Sequence, residues 1–348
     1  MKQGWHAFLE NRGAEFEEGV VIHFGNPERE RRIVTAGEII ADLTHFGVIA
    51  VHGEDAQSFL QGQLTNDVRN VSEDTAQMSG LCSPKGRLLA NFLIYKRGDS
   101  YYLRLPRSQV EPILKRLRMF VLMSKVTLED VSDNLAHIGY AGPQADKQLQ
   151  ELVPGLPVEP YGCVQSGELT VIRLMGVQPR FEIFGPLDAV ISLWKSLDVR
   201  AAPVGAEVWE LLDIRAGVPN ITTETVDAFV PQMVNMQLIQ GVSFKKGCYT
   251  GQEIVARMQY LGKLKRRMYL AHVNTDQVPV PGEDLFSGHS SSGQGTGKIV
   301  NAARAPEGGV DALAVIEISS LENDVIHLSD GKGPELTFRD LPYAFDPS

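Results

Sequence analysis

The stretch Lys245-Lys246-Gly247-Cys248-Tyr249-Thr250-Gly251-Gln252-Glu253 places one of only three cysteines in a glycine-flanked turn beside two lysines. A thiolate, rather than a thiol, is the nucleophile and the metal ligand, and nearby cations or a helix N-terminus favour it. The spacing of Thr250 and Glu253 predicts a capping box, in which hydroxyl and carboxylate satisfy free backbone donors at a helix start. Ile254, Met258 and Leu261 follow at helical intervals. Cys248 then stands just ahead of a helix, near its positive end. Two readings are open at this point: an activated thiol, or a small buried cysteine packed beneath a capped helix.

The chemistry open to Cys248 is bounded by its surroundings. A cysteine hydrolase needs a base beside the thiol, and the nearest histidine in sequence is His272; His45 and His52 remain possible only through the fold. Cys82, Cys163 and Cys248 are isolated, with no C-x-x-C or H-x-x-x-H pair. The chain therefore predicts neither a complete metal or Fe–S site of its own nor a disulfide framework. One thiolate supplied to a transient species, or one thiol in an exchange reaction, is compatible with the pattern.

Three segments resemble the YgfZ family of folate-binding proteins, relatives of the glycine-cleavage T-protein (aminomethyltransferase). Residues 246–253 carry the K-G-C-Y-x-G-Q-E signature without a gap. Phe59-Leu60-Gln61-Gly62-Gln63-Leu64-Thr65-Asn66-Asp67-Val68 resembles F-L-Q-G-Q-x-T-x-D-V. Phe229-Val230-Pro231-Gln232-Met233-Val234-Asn235, followed by Gly241-Val242-Ser243-Phe244, is the third. The likeness runs from about Asp42 to the C-terminus, and Asp42-Leu43-Thr44-His45-Phe46-Gly47 resembles the D-x-S-H-M-G segment of T-proteins. The resemblance implies an aminomethyltransferase-like α+β fold. It would hold two interleaved ferredoxin-like (split βαβ) lobes, roughly 1–105 with 205–260 and 106–204, and a C-terminal β-barrel at 261–348, around a central channel.

It also implies a pocket for tetrahydrofolate or a folate derivative. Gln63, Thr65, Asn66 and Asp67 would form its wall, with Lys246, Tyr249 and Gln252 from the cysteine loop. Thr65–Asp67 can also be read simply as a helix-ending turn, and residue by residue that reading is preferred to direct folate contact. The functional residues of the aminomethyltransferases do not all carry over. Their paired aspartates fall on Ala90 and Asn91, which argues against aminomethyl transfer. The acid of their I-E-A-G-x-P segment falls on Arg215, which either holds a folate carboxylate or pairs with Glu210 or Asp213. The implied role is assembly or repair of Fe–S clusters in selected enzymes, with Fe–S enzymes or assembly proteins as partners and an indirect effect on tRNA modification. A folate-dependent methyl- or aminomethyltransferase and a non-catalytic folate sensor or adaptor are the alternatives.

The elements that position these residues can be read from pattern. Val48–Ala56, His137–Ala145 and Phe181–Ala189 each give an apolar strand, a glycine turn and the start of an amphipathic helix. Strands are predicted at 88–95, 101–105, 169–174 and 180–184, helices at 110–122 and 208–216, and an N-terminal amphipathic helix within 1–19. Beyond Leu261 short β-like runs at 268–273, 313–318 and 325–328 alternate with Gly, Pro and Ser turns and predict a small barrel without helices. Gly288–Lys298 fails the phosphate-loop spacing, because Ser292 stands at the first glycine position and Ile299 follows the lysine. It reads as a hairpin loop.

At 348 residues, 43% hydrophobic and 22% charged, the chain is of ordinary globular composition and long enough for two or three lobes. No apolar run suffices to span a membrane, the N-terminus lacks a signal-peptide core, and three separated cysteines suit a reducing cytoplasm. A monomer is expected. The net charge of −10 argues against a direct nucleic-acid binder. Residues 245–267, however, carry seven cations against Glu253 alone, a net of +6 that leaves −16 on the remainder. That contrast focuses anions at the cysteine, or marks a solvated helix face and linker.

Overall fold

Glycine turns at two positions set the strand-to-helix units. Gly53 (φ +121°) and Gly142 (φ +150°) adopt conformations closed to side chains. A Cβ at Gly53 would lie 2.1 Å from the Lys125 carbonyl oxygen, and one at Gly142 2.7 Å from Glu38 Cα. The strands Phe46–His52 and Ala136–Ala141 accordingly run into the helices Ala56–Gln63 and Ala145–Gln150, whereas Arg180–Gly185 reaches the helix Leu187–Leu197 through Pro186 without a positive-φ glycine. The computed structural model describes residues 2–288 and 295–345. The architecture is α+β, and the chain divides into two compact units. The first comprises residues 1–59, 69–77 and 93–209, the second 60–68, 78–92 and 210–348.

In the first unit a six-stranded sheet runs in the order Cys163–Ser166, Leu169–Arg173, Arg180–Gly185, Ala136–Ala141, Glu38–Asp42, Ala201–Val204. Its pairs are antiparallel except the last, where Ala201–Val204 lies parallel to Glu38–Asp42. Trp5, Tyr140, Phe181 and Trp194 fill the core on this sheet. The N-terminal segment forms the expected helix, Lys2–Glu10, and then a small hairpin of Glu15–Glu17 and Val20–His23. Phe46–His52 pairs with both Ser100–Pro106 and Thr127–Asp130. Leu88–Arg97 is a strand of a five-stranded sheet. Its residues 93–97 pair with Ser100–Pro106, and its other neighbour is Gln77–Cys82. The helix expected over 110–122 closes at Arg118, and the next turn is irregular, with Leu122 at φ +43°.

The C-terminal part of the second unit is a six-stranded antiparallel sheet, ordered His327–Leu328, Asp284–Phe286, Gly297–Arg304, Val310–Glu317, Arg266–Val273, Leu336–Arg339. It curls as a half-barrel, and one bridge, His327 to Glu335, links the strand at one edge to the approach to the other. One short helix, Ile318–Asn323, corrects the helix-free expectation. Asp284–Phe286 and Gly297–Arg304 pair as a hairpin. Residues 289–294, the tip of the expected hairpin loop, lie outside the described residues. Among the described residues no helix is long and apolar enough to cross a membrane.

Candidate functional site

All the residues singled out around Cys248 belong to the second unit. The helix after the cysteine spans Gln252–Tyr260, and its N-cap is Gly251 at φ +82°, not Thr250. The capping box is absent: no side chain caps the helix, and Glu253 instead meets Arg257 one turn on, at 3.2 Å. Gly251 explains the difference. A Cβ there would fall 2.4 Å from the Ser83 carbonyl oxygen and 2.9 Å from Gly86 Cα, so the helix start rests on the tight turn between Gln77–Cys82 and Leu88–Arg97. The buried anchor of the helix is Val255, whose carbonyl accepts from Gln232 Nε2 at 2.7 Å. The Ile254, Met258, Leu261 row is not a buried stripe, since Leu261 is exposed.

Lys246 ties the cysteine loop to the other motif. Its side chain is buried at 7% exposure. The ammonium donates to the Gln61 carbonyl at 2.7 Å and to the Leu64 carbonyl, at the C-terminal end of the Ala56–Gln63 helix. Free carbonyls and the negative dipole end make that position favourable for a cation. The same ammonium stands 5.1 Å from the centre of the Tyr249 ring. Burial pushes the Tyr249 hydroxyl above its usual range, as it pushes the buried Cys82 thiol up to about 12.

The segment after the helix is stitched inward. Thr65 Oγ1 donates to the Gly241 carbonyl at 2.8 Å and accepts from Gly80 N at 2.7 Å. Asn66 Nδ2 donates to the carbonyls of Met78 (2.8 Å) and Gln240 (2.6 Å). Asp67 accepts from Gln61 Nε2 at 3.1 Å. These side chains therefore hold residues 61–68 against strand Gln77–Cys82 and the 240–243 loop. Gln63, by contrast, makes no side-chain hydrogen bond to a described residue and is half-buried. Gln252 Nε2 reaches the Gly247 carbonyl at a long 3.4 Å. Cys248 is exposed, unlike the buried Cys82 and Cys163, and its thiol has no hydrogen-bond partner among the described residues.

Arg215 pairs with neither Glu210 nor Asp213. Its Nε donates to Asp311 at 2.8 Å and its Nη2 to Glu307 at 3.0 and 3.1 Å. Arg339 and His272 converge on the same buried Asp311. His272, Glu307 and Asp311 bring ligand atoms within 4.8 Å of one another, but two arginines already neutralise these carboxylates. Asn91 is buried and pins a loop: Nδ2 donates to the Pro219 carbonyl at 2.7 Å and Oδ1 accepts from Ile221 N at 2.9 Å. A carboxylate could not make the first of these bonds. Asp213 is buried and accepts from Asn220 Nδ2 at 3.2 Å.

In the first unit, the Asp42–Gly47 segment is a buried turn. Asp42 accepts from Trp5 Nε1 (2.7 Å) and Thr44 Oγ1 (2.5 Å), and burial raises its carboxyl. Arg104 and Glu182 form a fully buried bidentate pair that His137 joins at 3.0 Å. Burial alone would push the Glu182 carboxyl up; Arg104 and His137 outweigh it and hold it at about 2. Beside them neither His45 nitrogen has a hydrogen-bond partner among the described residues. Burial, then His137 and Arg104, depress this imidazole to about 3.

The GCVT N-terminal domain family matches residues 11–246. The tRNA-modifying protein YgfZ of Colwellia psychrerythraea (strain 34H) is 33% identical over 310 residues, covering 87% of this chain and 93% of that protein. Its counterpart from Edwardsiella ictaluri (strain 93-146) is 33% identical over 300 residues, 86% and 90% of the two chains. The Yersinia pestis (strain Pestoides F) protein is 32% identical over 305 residues, 88% and 92%. The chain belongs to the YgfZ family. Its fold is that of the glycine-cleavage aminomethyltransferase T from Bartonella henselae, with a TM-score of 0.76 at 18% identity over 98% of this chain and 97% of that one.

A YgfZ-type chain related to the aminomethyltransferases implies a folate. The side-chain oxygens of Gln232, Asn235 and Gln237 are buried and meet no donor among the described residues, although the amide nitrogens of Gln232 and Asn235 are engaged. Unmet acceptors are costly, and a reduced pterin presents N–H and NH2 donors, so these residues fit the group. The resemblance covers Gln232 and Asn235 within 229–235 but does not mark their amides, and Gln237 lies outside it. The available signal was three amide side chains among the buried apolar residues Phe229, Val230, Val234, Met236 and Ile239.

Proposed function

We propose that this YgfZ-family chain binds tetrahydrofolate or a related folate and uses the exposed Cys248 thiol in the assembly or repair of Fe–S clusters of selected enzymes, through which it affects tRNA modification. The observation that carries this reading is the Lys246 clamp. It anchors the loop whose exposed thiol, without a hydrogen-bond partner among the described residues, comes two residues after an ammonium bound to the end of the Gln61–Leu64 segment. Gln63, Tyr249 and Gln252 would face the folate, with Gln232, Asn235 and Gln237 as acceptors for the pterin. Thr65, Asn66, Asp67 and Lys246 would shape the wall. Arg215 joins this set only by exchanging Glu307 for a folate carboxylate. The ferredoxin-like character of the lobes 1–105 with 205–260 and 106–204 belongs to the same proposal.

Ala90 and Asn91 stand where the aminomethyltransferases carry aspartates, and Asn91 is committed to the Pro219–Ile221 loop, which speaks against aminomethyl transfer. Two measurements test the reading. Calorimetric titration with tetrahydrofolate should give saturable binding that Gln63→Trp weakens. A strain lacking the protein should be restored by the wild-type chain and not by Cys248→Ala. Full restoration by Cys248→Ala, with the Gln63→Trp variant inactive, would turn the reading into a folate sensor or adaptor. Formation of methylenetetrahydrofolate from a methylated amine would turn it into a transferase.

A further inference from the structure

Helix Gln252–Tyr260 ends in two large side chains that the fold does not bury. Tyr260 is 67% exposed and Leu261 85%. Large exposed apolar side chains set side by side are a feature of interaction surfaces. The Tyr260 ring meets Phe244 edge-on at 6.1 Å, which brings the end of the helix back to the start of the cysteine loop. Cys248 lies at the other end, one helix length or about 13 Å away. Exposed Lys245 follows Phe244, and exposed Lys263 and Lys265 follow Leu261, in the sequence, and none of the three has an ion-pair partner among the described residues. Residues 245–267 are net +6 on a chain otherwise at −16.

We infer that Phe244, Tyr260 and Leu261, together with Lys245, Lys263 and Lys265, form a docking face for a protein partner that presents apolar side chains within an acidic segment. An apolar anchor inside a charged rim is the anatomy of protein–protein contacts. The lysines select acidic partners and speed their encounter. A single-stranded RNA suits the face less well. Leu261 offers no ring for a base to stack on, and Phe244 and Tyr260 stand edge-to-face rather than as parallel platforms. The face delivers its partner to Cys248. The inference rests on the reading of Cys248 above only for its purpose, not for its existence.

The test is the rate at which Cys248 exchanges with activated disulfide peptides. In this step the Cys248 thiolate attacks the peptide sulfur, a new S–S bond forms, and thionitrobenzoate leaves with the electron pair of the broken bond. The probes are a synthetic peptide rich in Glu and Asp with a central Leu-Phe pair, and a neutral Ser-Gly peptide of equal length. At low salt the acidic peptide should react at least tenfold faster, and the advantage should vanish in 0.5 M salt, in Lys263→Glu/Lys265→Glu and in Leu261→Ser. Dithiodipyridine, which needs no docking, should react equally with wild type and variants, showing the thiol intact. Equal rates for the two peptides overturn the inference. So does an unstructured RNA oligonucleotide that suppresses the acidic-peptide reaction at a lower concentration than an unactivated acidic peptide does. Failure here leaves Cys248→Ala complementation unaffected, so the two ideas fail separately.

Discussion

Replacing Lys246 by Met removes an ammonium while keeping a stem of similar length. The structure sets the size of the effect. Two charge-assisted hydrogen bonds, to the carbonyls of Gln61 and Leu64, are lost from a side chain only 7% exposed. Each is worth roughly 1.5–3 kcal/mol net, and the cation over the Tyr249 ring adds about 0.5–1 kcal/mol. Relief of the buried charge offsets part of this sum. A loss of about 2–4 kcal/mol in the second unit is expected. Buried Cys82 lies in the same unit as Lys246 and serves as the reporter. Native-state labelling of Cys82, read by peptide mass spectrometry, tracks the population of the open unit. At about 1.4 kcal/mol per decade, the variant should label roughly 30- to 1000-fold faster. Lys246→Arg should recover part of the protection. Labelling within threefold of wild type would show that the clamp contributes nothing and refute the reasoning.

Gly251→Ala should cost roughly 3 kcal/mol or more by the same assay, because an L-residue at φ +82° is strained and its Cβ meets the Ser83 carbonyl. Gly62→Ala, with open space around the added methyl inside a helix, should be neutral or stabilise by up to about 1 kcal/mol; a weaker tetrahydrofolate affinity in this otherwise sound variant would place the ligand against Gly62. Acid should destabilise the first unit through His45. Its folded pKa, about 3, lies below its unfolded value, so the unfolded chain binds the proton first. The stability is therefore complete above pH 6.5 and is lost as pH falls toward 3, by at most about 2 kcal/mol at pH 5. His45→Phe should flatten that slope in tryptophan-monitored urea melts and should cost little at pH 7, since no hydrogen bond is broken; an unchanged slope would contradict the assignment. Cys248→Ala should leave Cys82 labelling within about twofold, as expected for an exposed side chain, while abolishing complementation.

The amino-acid sequence by itself determined the local punctuation of this protein. Gly53 and Gly142 end strands because no other residue fits their backbone, and the helices that follow carry their own periodicity. The hairpin of Leu88–Arg97 and Ser100–Pro106 is legible for the same reason: alternation and a turn are short-range signals. The cysteine loop was recognisable as a motif, but whether its sulfur lay inside or outside was not, because burial depends on what packs over a loop. Tertiary structure also overruled local rules. Thr250 and Glu253 have capping-box spacing, yet the helix starts at Gly251, because only glycine admits the Ser83–Gly86 turn against it. Leu261 has helical spacing, yet the helix ends before it and leaves it exposed. Arg215 finds Asp311, 96 residues on, rather than an acid on its own helix, and Lys246 finds carbonyls 182 and 185 residues earlier. A charged side chain satisfies itself with whatever the topology brings within hydrogen-bond reach, and sequence spacing carries no record of that distance.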